Sequence, residues 1–198
     1  MPRPRTFDED SAVDAAMRTF WANGYEATTT EDLCAATGLG RSSIYNTFTS
    51  KHELFRRALL RYVEMTTTAQ LALVEDERRS PVERLRALFT AVIDGEVATR
   101  RDGRSLGCLT VNTTVELAGR DPEAAEILER DSGRRVAALR LVIGAGQRAG
   151  EITSGRDPEA LARYLTAVIG GMRVAGQGGA SRADLQSIAD AAMDALTG

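Results

Sequence analysis

Thr28-Thr29-Thr30-Glu31-Asp32-Leu33-Cys34-Ala35-Ala36-Thr37-Gly38-Leu39-Gly40-Arg41-Ser42-Ser43-Ile44-Tyr45-Asn46-Thr47-Phe48 is the stretch that decides the fold. A threonine with a carboxylate three residues later marks a helix start, and two pairings compete here, Thr28 with Glu31 or Thr29 with Asp32. A short helix to Thr37 follows, then the tight turn Gly38-Leu39-Gly40, then a second short helix from Arg41 to Phe48. Ile44 and Phe48 stand four apart and face inward, leaving Arg41, Ser42, Ser43 and Asn46 outward. Helix, glycine turn, helix is the plan that sets its second helix in a DNA major groove. Arginine, asparagine and hydroxyl groups reach base edges and phosphates.

Local charge agrees. No carboxylate occurs from Leu33 through His52, although the whole chain carries 28 Asp and Glu against 25 Lys and Arg. Phosphates repel carboxylates, so a surface that meets DNA is stripped of them locally, whatever the net charge. Lys51 is the only lysine, in the first turn of the helix opened by Thr49-Ser50. A cation there opposes the helix dipole unless an anion is expected; a plain solvated lysine is the alternative. The arm bearing Arg3 and Arg5 is either a further DNA contact, in the minor groove, or a basic tail.

The rest of the chain also has helical period. A first helix from Glu9 to Ala22 carries Val13, Ala16, Met17, Phe20 and Trp21 on one face, and Asn23-Gly24 stops it. Ser80-Pro81-Val82-Glu83, Asp121-Pro122, Asp157-Pro158 and Ser181-x-x-Asp184 are helix starts. Leu106 to Ala118 reads as a mostly apolar helix. No segment alternates with a period of two, so the expected fold is all-α. The expected division is an N-terminal three-helix helix-turn-helix unit over residues 1–62 and a larger helical unit over 63–198.

Composition sets limits. A chain of 198 residues that is 43% hydrophobic builds its own core. With two cysteines and one histidine it has material for neither a disulfide framework nor a zinc site, haem site or histidine triad. No metal, no cofactor and no catalytic residue is expected. No apolar run spans a bilayer and the opening residues do not form a secretory signal, so a cytoplasmic protein without a membrane partner is expected.

Beyond these physical arguments, the chain resembles the TetR family of bacterial transcriptional regulators. The resemblance rests on Gly24-Tyr25-Glu26-Ala27-Thr28-Thr29, Asp32-Leu33, Gly38-Leu39, Ser43-Ile44-Tyr45, Phe48, Ser50-Lys51 and Leu54. It covers Phe7 to Tyr62 firmly; Gly107-Cys108-Leu109 with Asn112, Glu116 and Leu117 looks like the sixth helix of one branch. The resemblance implies that Thr29 bonds a phosphate, that Tyr45 and Lys51 grip the backbone, and that Arg41, Ser42, Ser43 and Asn46 face bases. Thr47 stands where relatives carry histidine or tyrosine, which implies a weaker or different contact. Gly40 stands where a hydroxyl residue usually caps the recognition helix. The resemblance further implies a ligand-responsive homodimeric repressor on a palindromic duplex operator, with a small-molecule effector in the C-terminal unit. Candidate effector contacts are Met65, Phe89, Cys108, Asn112, Glu116 and Met172. The last two helices would pair between subunits through Leu165, Val168, Gly171, Met172, Leu185, Ile188, Ala192 and Met193.

Other motifs carry two readings each. Gly103-Arg104-Ser105-Leu106-Gly107 spells a nucleophile elbow, but it follows no strand and the only histidine lies upstream. Gly144-Ala145-Gly146-Gln147-Arg148-Ala149 spells a dinucleotide fingerprint at a helix end, where a fraying terminus is expected instead. Cys108 is either a buried small hydrophobe or a thiol that senses oxidants and electrophiles. Asn112, Glu116 and Arg120 are either pocket groups or a surface face. Cys34 reads as packing and His52 as an exposed helix-start residue. The rivals to a DNA-binding regulator are an enzyme in the C-terminal half and a helical adaptor without DNA binding.

Overall fold

The computed structural model describes residues 8–100 and 102–198, so the arm with Arg3 and Arg5 lies outside the described residues. Nine helices make up the regular structure of the described chain: α1 (Glu9–Asn23), α2 (Thr30–Thr37), α3 (Arg41–Phe48), α4 (Lys51–Val74), α5 (Pro81–Ala98), α6 (Leu109–Leu117), α7 (Pro122–Ala149), α8 (Pro158–Gln177) and α9 (Arg182–Thr197). Their starts follow the side-chain chemistry of the sequence. Reciprocal capping boxes join Thr29 to Asp32, Ser80 to Glu83 and Ser181 to Asp184. Asp121 and Asp157 cap α7 and α8 ahead of a proline, which fits the first turn because it has no N–H to satisfy. The Thr28/Glu31 alternative is set aside: Thr28 is buried and its hydroxyl donates to the Gly24 carbonyl at 2.6 Å.

The helices bury two apolar clusters. One gathers Phe20, Leu33, Ile44, Phe48, Leu54, Phe55 and Tyr62 from α1–α4, and it also takes in Cys108, Leu109, Leu117, Ala124 and Ile127. Phe20 meets Phe55 edge-on at 5.1 Å, and Trp21 meets Tyr62 at 5.0 Å. The other joins α5, α7, α8 and α9 around Leu85, Ile93, Ile143, Leu165, Met172, Leu185 and Leu196. The boundary expected after residue 62 therefore falls inside α4, and the N-terminal core is completed by α6 and the start of α7.

Two local expectations are corrected. The helix expected from Leu106 starts at Leu109, because Gly107 has φ 65 and its carbonyl accepts the Trp21 indole N–H at 3.1 Å. The Gly144–Ala149 run does not fray. Gly146 is buried where a Cβ would meet Ile152 at 2.7 Å, and its carbonyl accepts from both Glu151 and Ile152.

Candidate nucleic-acid interface

The helix α3 is held from beneath and open above. Ile44 and Phe48 are buried, whereas Arg41, Ser42, Tyr45 and Asn46 are exposed and Ser43 and Thr47 are half-buried. Gly40 provides no side-chain cap. The Tyr45 hydroxyl lies 3.2 Å from the Thr30 hydroxyl, which ties α3 to the start of α2. The Arg41 guanidinium rests 5.8 Å from the centre of the Tyr45 ring. These exposed groups form one carboxylate-free face.

Two flanking features frame that face. Thr29 is exposed at the start of α2, but its hydroxyl is already engaged in the cap, donating to Asp32 Oδ2 at 2.7 Å. The Thr29 hydroxyl and backbone hold the Asp32 carboxyl below its ordinary range. Between α3 and α4, Thr49 has φ 65 and ψ −45, and the Ser50 N–H donates to the Phe48 carbonyl at 2.6 Å. This is a tight three-residue turn that a β-branched residue adopts only under strain. Lys51 follows, half-buried, with its ammonium 4.5 Å from the Tyr25 ring centre and 3.5 Å from the Glu26 carbonyl. The cation is thus positioned over the α1–α2 loop.

That loop is fixed from the other side by α6. The Glu116 carboxylate accepts the Tyr25 N–H at 2.9 Å and the Glu26 N–H at 2.7 Å. Gly24, at φ 80, leaves room for it: a Cβ there would sit 3.0 Å from Glu116 Oε2. His52 stands at the start of α4 as expected, but half-buried rather than exposed. Its Nε2 lies 2.7 Å from Asp121 Oδ2 and its ring meets Tyr25 edge-on. Burial pushes the Asp121 carboxyl up, but the Ala124 N–H and His52 outweigh it and hold the group below its ordinary value.

A cavity of about 180 Å³ lies behind α6, between α4, α7 and α8. Of the candidate effector contacts only Cys108 lines it. Met65 is exposed on α4, and Phe89 and Met172 are buried in the second core. Asn112 bonds Gln177 and the Leu106 carbonyl, and Glu116 serves the loop described above. The cavity wall also holds Arg135 and Arg173, which the sequence reading missed; an arginine directly after Met172 in an apolar helix was the available signal. Arg173 donates to the fully buried Glu96 at 2.6 Å, and Ser105 of the apparent elbow donates to the same carboxylate. Ser105 thus helps to satisfy a buried carboxylate whose charge Arg173 balances. Burial pushes the Cys108 thiol up, yet Arg173, Thr110, Tyr62 and the Val111 N–H together bring it below its ordinary value.

The expected subunit contacts divide. Leu165, Met172, Leu185, Ala192 and Met193 are consumed inside the chain's own core, whereas Gly171 and Ile188 are exposed and Val168 is half-buried. The exposed apolar strip keeps Gly171 and Ile188 and adds Tyr164, Ala167 and Val174 on α8 and Ala191 and Ala195 on α9. No helix among the described residues is long and apolar enough to cross a membrane.

The chain is similar to known proteins. The family model described as "Bacterial regulatory proteins, tetR family" matches residues 12–58, and "Tetracyclin repressor-like, C-terminal domain" matches residues 81–192. The chain is 34% identical to the HTH-type transcriptional repressor ComR of Escherichia coli (strain K12), covering 94% of this chain and 88% of that one. It is 32% identical to the uncharacterized HTH-type transcriptional regulator YezE of Bacillus subtilis (strain 168), covering 83% and 84%. A solved cysteine mutant of the TetR family transcriptional regulator CifR, complexed with double-strand operator DNA, matches with a TM-score of 0.83 at 26% identity, covering 98% of this chain and 99% of that one. The chain belongs to the tetR family of bacterial regulatory proteins and is a DNA-binding transcriptional regulator.

Proposed function

We propose that the protein is a ligand-responsive repressor that binds a roughly palindromic operator as a homodimer. The carboxylate-free outer face of α3 carries this reading, supported by relatives named as repressors and by a similar regulator solved in complex with operator DNA. In it Arg41, Ser42, Ser43 and Asn46 face bases, Thr47 makes a lesser contact, and Tyr45 and Lys51 take phosphates. The N-terminus of α2 takes a further phosphate through backbone N–H groups as well as Thr29, since the hydroxyl is shared with the cap. The exposed strips of α8 and α9 pair between subunits, with Gly171 permitting close approach and Val174 (53% exposed) and Ile188 (37%) at the contact. A small molecule in the cavity favours a conformer with wrongly spaced reading heads and lowers operator affinity by linkage. The protein works in the cytoplasm, where its DNA is.

Selection of bound DNA from a random pool, followed by footprinting, tests this. The expected result is a protected inverted repeat; a pool that never enriches beyond non-specific binding retires it. A second reading, covalent sensing, rests on the lowered Cys108 thiol in the cavity wall. Alkylation of the folded chain at Cys108, followed by operator release, supports it. A thiol that reacts only after unfolding dismisses it.

A further inference from the structure

The chemistry of the cavity wall narrows what occupies it, given the effector site proposed above. Every side chain lining it is neutral or cationic; no aspartate or glutamate faces it among the described residues. Leu71, Val74, Leu88 and Ile169 make one side apolar. The charge comes from Arg135 and Arg173, and the acids that balance them, Asp131 and Glu96, are buried outside the lining. Each guanidinium offers five N–H donors in a fork. Arg135 gives Nη2 to Asp131, and its Nε is buried with no acceptor at all. A buried donor without a partner is a standing cost, and because Asp131 engages only Nη2, the fork keeps N–H groups for an acceptor on a ligand. The Arg173 charge acts at the same wall: it outweighs part of the burial penalty on the adjoining Cys108 thiolate, so negative charge is tolerated there. At about 180 Å³ the space lies below the roughly 300–1,000 Å³ of common small-molecule sites, which excludes bulky ligands.

We propose that the cavity takes a small monocarboxylate with an apolar body, its carboxylate received by Arg135 and Arg173 and its chain laid along Leu71, Val74, Leu88 and Ile169. A cationic ligand is opposed by both guanidinium groups, and a neutral one leaves the Arg135 donor competing for a weaker acceptor.

The test is calorimetric titration of the full-length protein with hexanoate, hexan-1-ol and hexan-1-amine at one salt concentration. Hexanoate is expected to bind at least tenfold more tightly than the alcohol, and the amine to show no binding. Arg135→Lys keeps the charge but loses Nε and the fork; it is expected to weaken hexanoate about tenfold while the unfolding midpoint holds. The paired variant Glu96→Gln with Arg173→Gln removes the second cation without leaving a buried acid unpaired, and is expected to weaken hexanoate likewise. The alcohol binding as tightly as the acid, the amine binding best, or both variants binding hexanoate unchanged overturns the proposal. Operator binding without additive is measured in parallel. A chain that binds its operator and is released by a cation or a neutral compound keeps the repressor reading and loses this one. A chain that binds hexanoate through the arginines but no DNA keeps this one alone.

Discussion

Replacing Glu116 by alanine removes one carboxylate from α6 and is expected to destabilise the α1–α2 loop, 90 and 91 positions away in sequence, because the contact joins distant segments. The carboxylate accepts two successive backbone N–H groups, at 2.9 and 2.7 Å. Hydrogen bonds to a charged group contribute about 1.5–3 kcal/mol each, and the half-buried setting places these at the low end, so the pair is worth roughly 3 kcal/mol. The alanine variant also leaves the Tyr25 N–H partly buried without its acceptor. For a chain of this size each kcal/mol moves the melting midpoint by about 2–4 °C, so a fall of roughly 6–12 °C is expected. Glu116→Gln keeps one acceptor oxygen and loses the charge, and should lose about half as much. The assay is urea and thermal unfolding at one protein concentration, since a dimer's apparent stability depends on it. Operator affinity is measured beside it, because the same loop receives Lys51. A loss below about 0.5 kcal/mol for the alanine variant would refute the reasoning and show that the loop holds itself.

Four other outcomes are expected. Lys51→Ala should weaken binding to all DNA sequences alike and flatten the salt slope by about 1, whereas Arg41→Ala should cost about 1–3 kcal/mol at one base position; an unchanged slope removes Lys51 from the phosphate contacts. Thr49→Gly relieves the positive φ and should raise the unfolding free energy by about 1 kcal/mol, with no gain meaning the turn is unstrained. Val174→Glu or Ile188→Glu should sediment as a monomer with intact helicity, and a persistent dimer would move the interface elsewhere. Asp121 has a depressed carboxyl pKa in the fold, so its contribution is complete above the ordinary value of 3.8 and is lost as pH falls through the lower folded value. The stability gap between the wild type and Asp121→Asn should therefore shrink as pH falls below the ordinary value of 3.8; a gap that widens there contradicts the assignment.

What the sequence disclosed and what it withheld follow the range of each interaction. The capping boxes at Thr29, Ser80 and Ser181 and the inward pair Ile44 and Phe48 depend on neighbours three or four positions away, so their helices were legible. The partners of Glu116, His52 and Arg173 lie 90 or 91, 69 and 77 positions away, and nothing local signals them. Five of the eight expected α8 and α9 contacts lie in the chain's own core for a related reason. Both helices are apolar on two sides, and periodicity alone does not tell which stripe turns inward. Leu165, Met172 and Leu185 went to the chain's own core, while Tyr164, Gly171, Val174 and Ile188 were left outside.

The unbroken course of α4 has a mechanical consequence. It is a single stiff rod with Lys51 at one tip and Gln70, Leu71 and Val74 in the cavity wall near the other. From Lys51 to Gln70 the rod measures about 29 Å at 1.5 Å per residue. Pivoting it by roughly 5° at the cavity end swings the Lys51 tip by about 2.5 Å. Doubled across the symmetric pair proposed above, that swing approaches 5 Å against the ~34 Å that separates successive major-groove half-sites. In the effector-bound homodimer proposed above, a displacement too small to disturb the packing around the ligand would thereby be magnified into a misfit with the pitch of the double helix.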